Sequence, residues 1–360
     1  MGERTAARSN GNCKRARTQW PGILRYNPSM RVLLVKLSSM GDVLHNLPVV
    51  SDLARAYPDI EIDWVTEAPY SELVALHPSV RRVIPTHLRD LKKRWWSPDA
   101  WRSWSRDKAQ LSGRTYDTIL DTQGLIKSAL IARWADGPIA GFSRETAREP
   151  HSARFYDQLI AVPRDLHAVE RNRRLASGAF GYNLAGPVDY GLRLQVPAQI
   201  ASPSHPYVVF LHASSRADKM WPESHWIALG QRLHDRGIDV VLPWGNAVEK
   251  RTSERLASAI PAATVPPAMS LVEAAALLSG ASGVVGVDTG LAHLSVALAR
   301  PTIGLYLTTS PALTGLYSGD PAINSGGGLA INLGGGNPLH PVVPSADEAW
   351  HALDSRLAQQ

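Results

Sequence analysis

The amino-acid sequence predicts an α/β protein made of two doubly wound parallel-sheet units that face a central cleft. Three observations carry this expectation. Short β-branched apolar runs alternate with helix-like stretches in both halves of the chain, the order that builds a parallel sheet covered by helices. The alternation breaks once, between about Asn183 and Pro206, where Pro187, Pro197, Pro203 and Pro206 interrupt any regular pattern, and then restarts. The first apolar run of each half opens into a polar turn, and sheets of this kind bind ligands at the carboxyl ends of their strands.

The fold is expected to begin at Met30. Arg31 to Leu37 (RVLLVKL) has the composition of a buried parallel strand, followed by the turn Ser38-Ser39-Met40-Gly41-Asp42 and one helical stretch to Tyr57. Ile60 to Val65, Arg82 to Ile84 and Thr118 to Asp121 read as the next strands. In the second half Tyr207 to Leu211 opens the sheet and Glu223 to Arg236 reads as a helix. Ile238 to Leu242, Ala263 to Val265, Gly283 to Val287 and Thr302 to Tyr306 continue the strands. Ala322 to Leu329 (AINSGGGL) is nearly repeated by Ala330 to Asn337 (AINLGGGN), a Gly-rich tandem that reads as flexible loop. A last helix runs from about Ser345 to Ala358. The expected organisation is a disordered basic extension over 1–29, one unit over 30–185, a linker over 186–206, a second unit over 207–344 and a closing helix over 345–360.

Composition bounds the function. With 360 residues, 44% of them hydrophobic, the chain can bury two ordinary cores. The most apolar stretch, Ala281 to Ala299, carries Asp288 and His293, so no membrane-spanning helix is expected. The polar, Arg-rich start has no apolar core or small-residue cleavage site of a secretory signal. The single cysteine, Cys13, leaves no internal disulfide and fits a reducing cytosol. The net charge is +6, yet residues 1–29 hold six basic side chains against Glu3, so the remainder is close to neutral and nucleic acid is not expected as a partner.

The turns suggest chemistry. Asp42, just past a Gly-containing turn at the mouth of the cleft, has the chemistry of a general base or of a helix cap, and local sequence leaves both open. Lys36 lies inside an apolar strand and needs a partner if buried. After residues 207–211, Ser214, Ser215 and Lys219 offer hydroxyl donors and a positive charge suited to phosphate. VVGVDTGLAHL runs from a strand through Asp288-Thr289-Gly290 into a helix whose first N–H groups and dipole favour an anion. Asp288 suits sugar hydroxyls, Glu249 suits ribose hydroxyls or a surface ion pair, and His293 is a core histidine or a ligand contact. Neither half has G-x-G-x-x-G after its first strand or a P-loop, which disfavours a dinucleotide dehydrogenase. No Asp-x-Asp pair or His/Cys cluster has the spacing of a metal site.

Several motifs in order carry a resemblance: VKLSSMGDVLHNLP, DTQGLIKS from Asp121 to Ser128, AREP from Ala147 to Pro150, HAVERNR from His167 to Arg173, DKMWPE, and GVDTGLAHL. From Met30 to about Tyr317 the chain resembles the lipopolysaccharide heptosyltransferases of glycosyltransferase family 9, in particular the type I enzymes. That family has the GT-B fold of two facing Rossmann-like domains and inverts the sugar it transfers. The resemblance implies that Asp42 is the general base toward a Kdo hydroxyl. Ser214, Ser215 and Lys219 would contact the donor diphosphate, with Lys219 stabilising its departure. Glu249 would hold ribose, Met269 adenine and Asp288 the heptose hydroxyls, with Thr289, Gly290 and His293 beside the phosphates. The implied donor is ADP-L-glycero-D-manno-heptose and the implied acceptor Kdo2-lipid A, with no metal and no cofactor. The first domain would bind acceptor and the second the nucleotide sugar.

An anionic, membrane-embedded acceptor gives roles to Lys127, Arg148, Arg171 and Arg173 as partners of its carboxylates and phosphates. Residues 91–106 (LKKRWWSPDAWRSWSR) mix tryptophan and basic residues, which suits peripheral contact with lipid headgroups at the cytoplasmic face of the inner membrane. They equally suit a basic amphipathic helix packed on the sheet, in a pattern that Pro98 interrupts. The basic extension, Leu307-Thr308-Thr309 and the Gly-rich tandem depart from the family pattern. Other readings are heptosyltransferase II or a relative with another acceptor, a sugar-nucleotide epimerase or hydrolase on the same architecture, and a non-catalytic binding protein.

Overall fold

In the computed structural model, residues 30–88, 96–194, 205–214, 216–319 and 329–358 are described. The extension 1–29, residues 91–95 of the Trp-basic stretch, Ser215, much of the linker and the tandem's first copy (322–328) lie outside them. The first unit runs β1 (Arg31–Val35), α1 (Met40–Leu44), α2 (Leu47–Ala56), β2 (Glu61–Glu67), α3 (Ser71–Ala75), β3 (Val80–Thr86), α4 (Pro98–Leu111), β4 (Thr118–Asp121), α5 (Ile126–Ala132), β5 (Ile139–Phe142), β6 (Gln158–Ile160) and α6 (Ala168–Phe180). The second runs β7 (Tyr207–Leu211), α7 (Glu223–Asp235), β8 (Asp239–Val241), α8 (Ala247–Ala259), β9 (Ala263–Thr264), α9 (Leu271–Gly280), β10 (Gly283–Val287), α10 (Gly290–Ala297), β11 (Thr302–Tyr306), α11 (Pro311–Thr314), β12 (Ala330–Gly334) and α12 (Ala346–Leu357).

Both sheets are parallel and share one topology. The first is ordered β3-β2-β1-β4-β5-β6 and the second β12-β11-β10-β7-β8-β9. Each is therefore a doubly wound sheet whose order reverses between its first and fourth strands, and the crevice at that reversal lies outside the strand carboxyl ends. The reversal points are β1/β4 and β7/β10. Strand side chains alternate between two faces, and the apolar runs supply both. Leu33 and Val35 enter one cluster of the first unit, while Val208 and Phe210 enter one cluster of the second. Val32 and Leu34, Val209 and Leu211, and Leu277, Leu278 and Leu294 share a third cluster that runs continuously through both units.

Several expected elements take a different form. The helix after the first turn is two helices, because the chain turns at His45-Asn46 and Pro48 occupies the start of α2, where its missing N–H costs nothing. Pro98 likewise begins α4 instead of interrupting it. Strands β5 and β6 carry too few residues for a period-two pattern. The tandem's second copy is not loop throughout: Ala330–Gly334 pairs in parallel with β11 as the edge strand, with Ala330 fully buried.

The two units meet most closely where α1 faces α10. A Cβ on Gly290 would lie 2.6 Å from Met40 Sδ and 2.8 Å from Met40 Cβ, so the helix start is bare of side chain because the other unit's methionine occupies that space. A Cβ on Gly41 would meet the His293 ring at 3.4 Å. A side chain at Gly290 would overpack this contact, at a cost of about 1–3 kcal/mol. Gly290→Ala should lower the melting temperature by several degrees, and adding Met40→Ala should recover more than half of that loss. Calorimetry of the single and double variants checks this; a Gly290→Ala protein that melts like the wild type would mean the contact is not kept in solution.

Candidate active-site cleft

The two reversal points open onto one cleft of about 960 Å³. Much of its lining sits just past a strand. Ser39, Met40, Gly41 and Asp42 follow β1, Thr122 and Gln123 follow β4, Ser214 follows β7, and Asp288, Thr289 and Gly290 follow β10. Topology alone thus sets Asp42 of one unit and Asp288 of the other in the walls of a shared space. Its charged lining holds five cations, Lys36, Arg148, Arg164, Arg171 and Lys219, against Asp42 and Asp288, a balance that favours anionic ligands.

Asp42 is both a cap and a cleft group. Its Oδ2 accepts the Ser39 backbone N–H at 2.9 Å in a capping box, while its side chain keeps 27% exposure toward the cleft. Arg148 Nη1 lies 4.0 Å from the same oxygen, on a side chain too exposed for the pair to add much stability. The second carboxylate oxygen accepts no bond among the described residues and is available to a ligand.

The floor under Asp42 is built by the neighbouring loop. Gln123 Oε1 accepts Leu37 N–H at 2.9 Å and its Nε2 donates to Ser38 O at 2.7 Å, which clamps the β1 turn to the β4 turn. Asp121 in turn accepts from the Gln123 and Gly124 backbone and from Ser128 and Tyr156, each at 3.3 Å or less. Burial raises its carboxyl above the usual carboxylate range. The expected partner of buried Lys36 is Thr122 O, 2.8 Å from Nζ. Burial lowers the Lys36 ammonium from its ordinary value, partly offset by Asp42 and Asp121.

The first unit's wall is basic. Arg171 Nη2 donates to Thr146 O at 2.7 Å and its guanidinium lies 4.8 Å over the Phe142 ring; Arg164 is held by Ala147 O. Carbonyls orient both groups without neutralising them. Burial, followed by the Arg164 charge, lowers Arg171. The other two expected acceptor contacts sit elsewhere. Arg173 is buried in a bidentate pair with Asp52 at 2.7 and 3.1 Å and a third contact to Glu170, so its donors are used within the fold. Lys127 lies near Glu67 and Ser38, outside the cleft lining.

On the opposite wall Lys219 Nζ lies 2.5 Å from Asp288 Oδ2, which also accepts from Thr309 at 2.9 Å. Thr289 is the N-cap of α10, its side chain makes no capping bond, and Thr289 and Gly290 line the cleft, which sets the start of the helix against this space. Ser214 Oγ donates to Asp288 O at 3.4 Å and also borders a second pocket of about 740 Å³ formed with His212, Met220, Asn246, Val248 and Glu249. Glu249 accepts from Gly245 N–H and Asn246 Nδ2 at 2.7 and 2.6 Å, and Asn246 caps α8. Met269 is half-buried against the shared apolar cluster and borders neither pocket.

Sequence reading missed a histidine group between the units. His45 Nε2 and His293 Nδ1 lie 3.2 Å apart, and His293 Nε2 is 4.0 Å from Asp288 Oδ1. The ring of His167, which caps α6, lies 5.3 Å from that of His45 and stacks on Tyr317 at 4.4 Å. Arg164 and Asn172 were also missed; only the recurrence of polar residues inside HAVERNR hints at the latter. Among the described residues, no three of His, Cys, Asp and Glu form a group that could hold a metal.

Two doubly wound sheets sharing a polar cleft at their carboxyl ends define the GT-B class of glycosyltransferases. Comparison with known proteins narrows this. Residues 104–329 match Glycosyltransferase family 9 (heptosyltransferase). The lipopolysaccharide heptosyltransferase 1 of Pseudomonas aeruginosa is 44% identical over 316 residues, covering 87% of this chain and 86% of that one. The solved structure of E. coli heptosyltransferase WaaC with ADP superposes with a TM-score of 0.82 at 38% identity, covering 91% of this chain and 100% of that one. The same protein with ADP-2-deoxy-2-fluoro heptose gives 0.78 at 38% identity, over 90% and 99%. This chain belongs to glycosyltransferase family 9, the heptosyltransferases.

The histidines also set an acid limit on the fold. Burial lowers His45 and His293, and pushes His77 and His167 down to about 4. The unfolded chain takes up these protons near pH 6.5, the folded chain only further down. Stability is therefore complete above about pH 6.5 and falls as pH drops toward 4, because the unfolded state then binds more protons. Urea unfolding at about pH 7.5 and pH 5 should show a lower midpoint at pH 5, with a smaller drop in His167→Gln. An equal drop in the two proteins would contradict the assignment to His167.

Proposed function

We propose that this family member transfers a heptose from ADP-heptose onto a Kdo sugar of Kdo2-lipid A, in building the lipopolysaccharide inner core. The observation that carries the reading is the single cleft that brings Asp42 and Arg148 of one unit opposite Lys219, Asp288 and the start of α10 of the other. The names of the relatives and the ADP-bound structures support the donor and the reaction class.

In this reading the second unit, 207–344, binds the nucleotide sugar. The nucleoside fits the smaller pocket beside Glu249 and Met220, and the diphosphate passes Ser214 toward Lys219 and the α10 N–H groups. The heptose then lies near Asp288. The first unit, 30–185, binds acceptor, with Arg148, Arg164 and Arg171 as anion contacts. The acceptor hydroxyl gives its proton to Asp42 as its oxygen bonds the anomeric carbon. The carbon–oxygen bond to phosphate breaks with both electrons leaving on ADP, and a single displacement inverts the centre. Lys219 and the helix dipole stabilise the charge that grows on the leaving diphosphate. Catalysis is mainly positioning, proton removal and leaving-group stabilisation.

No helix among the described residues is long and apolar enough to cross a membrane. The acceptor's lipid would be reached by peripheral contact from the cytoplasmic side, where Trp96 and Trp101 are 67% and 49% exposed beside basic residues. Incubation with ADP-heptose and Kdo2-lipid A should yield acceptor heavier by one heptose, read by mass spectrometry. Addition only to an acceptor already bearing the first heptose would assign the second step of the core instead. Donor consumption without any acceptor product would reject transfer.

A further inference from the structure

The buried histidines across the domain interface have a role that follows from counting their protons. His45 and His293 are each less than one-tenth exposed, their rings meet edge to face with centroids 4.6 Å apart, and the hydrogen bond between them runs from Nε2 to Nδ1 at 3.2 Å. One ring must donate and the other accept. If His293 carried its proton on Nδ1, its bare Nε2 lone pair would face the Asp288 carboxylate 4.0 Å away, lone pair against lone pair. The His45 proton would then sit on Nδ1, which has no hydrogen-bond partner among the described residues. If His45 carries its proton on Nε2, the clash with Asp288 is removed and His45 Nδ1 is left as an unpaired acceptor instead of an unpaired donor: His45 donates to His293, and His293 turns its Nε2–H toward Asp288 and the donor side of the cleft.

We propose that His45 is a positioning residue for the transfer reaction, donating across the interface to His293 Nδ1 and thereby fixing the tautomer in which His293 presents Nε2–H to the donor site. The inference rests on the heptosyl-transfer reading for its effect on rate, but not for the hydrogen bond itself. The lever is rigid. The His45 backbone N–H donates to Gly41 O at 2.8 Å and its carbonyl accepts from Asn172 Nδ2 at 3.1 Å, so the ring is fixed relative to Asp42, three residues earlier on the same turn. The groups that face the pair are Lys36 and His167 toward His45, and Asp42, Asp288 and Lys219 toward His293. Burial lowers both rings from their ordinary value, the direction that favours the neutral state the donor–acceptor pairing requires. One hydrogen bond therefore ties the donor wall of the second unit to the turn that carries Asp42.

The test uses the full chain with His45→Leu, which keeps bulk but removes the donor, and His45→Gln, whose amide N–H₂ can replace it. Nitrogen-15 spectra of histidine-labelled, ligand-free protein, with the His293 signals identified by comparison with His293→Gln, should show His293 protonated on Nε2 in wild type and His45→Gln. In His45→Leu the two tautomers should mix. Losing the cross-interface donor removes the preference for the Nε2–H tautomer of His293, so kcat should fall by about tenfold in His45→Leu, and His45→Gln should restore most of it. The proposal is overturned if wild-type His293 is protonated on Nδ1, if His45→Leu keeps the wild-type tautomer and rate, or if His45→Gln is as impaired as His45→Leu. A wild-type protein that transfers no heptose would reject the functional reading, while the spectra would still decide the tautomer.

Discussion

The approach of α1 to α10 governs the arrangement of the whole molecule. Met40 fills the space a side chain on Gly290 would take, and His45 bonds His293 one turn further along. These contacts bind the start of one unit's first helix to the start of the other unit's anion-facing helix. Because each helix begins immediately after a strand at its sheet's reversal point, pressing the helix starts together makes two crevices into one cleft. An apolar cluster continuous through both units supports the arrangement from behind.

This geometry divides labour by charge. The first unit presents Arg164 and Arg171 oriented by backbone carbonyls and Arg148 near Asp42, and among the described residues no other acid pairs with them. The second presents a Lys219–Asp288 pair and a helix start that the N-cap side chain leaves uncapped. Anions are thus favoured from both sides, as the proposed reaction between a nucleoside-diphosphate sugar and a phosphorylated, carboxylated acceptor would require. Asp42 sits between them with one oxygen fixed by its own helix and the other directed at the gap. The cap and base readings of this residue are compatible, since capping orients the carboxylate without using all its acceptor sites.

Much of this was legible in the sequence. The compact apolar runs at 118–121, 207–211, 283–287 and 302–306 coincide with strands, because fully buried parallel strands are written as uninterrupted apolar text. The residues that follow β1, β7 and β10, among them Asp42, Ser214 and Asp288, line the cleft for the same reason. What escaped notice depends on contacts distant along the chain. Nothing near Arg173 announces that Asp52, more than a hundred residues earlier, takes both of its guanidinium edges. Strand β12 hid inside a Gly-rich repeat because an edge strand needs only backbone pairing with β11. His45 and His167 are unremarkable singly, and they form a group with His293 only when the units meet.

The central claim is that Asp42 removes the acceptor proton and does more than cap α1. Asp42→Asn decides it most directly, since asparagine keeps an oxygen for the Ser39 N–H but cannot act as the base. Turnover should fall by about a hundredfold or more, the usual loss on removing a general base, while calorimetric titration with ADP and the melting temperature stay close to wild type. A variant that turns over at the wild-type rate would leave Asp42 as a helix cap alone and contradict the account.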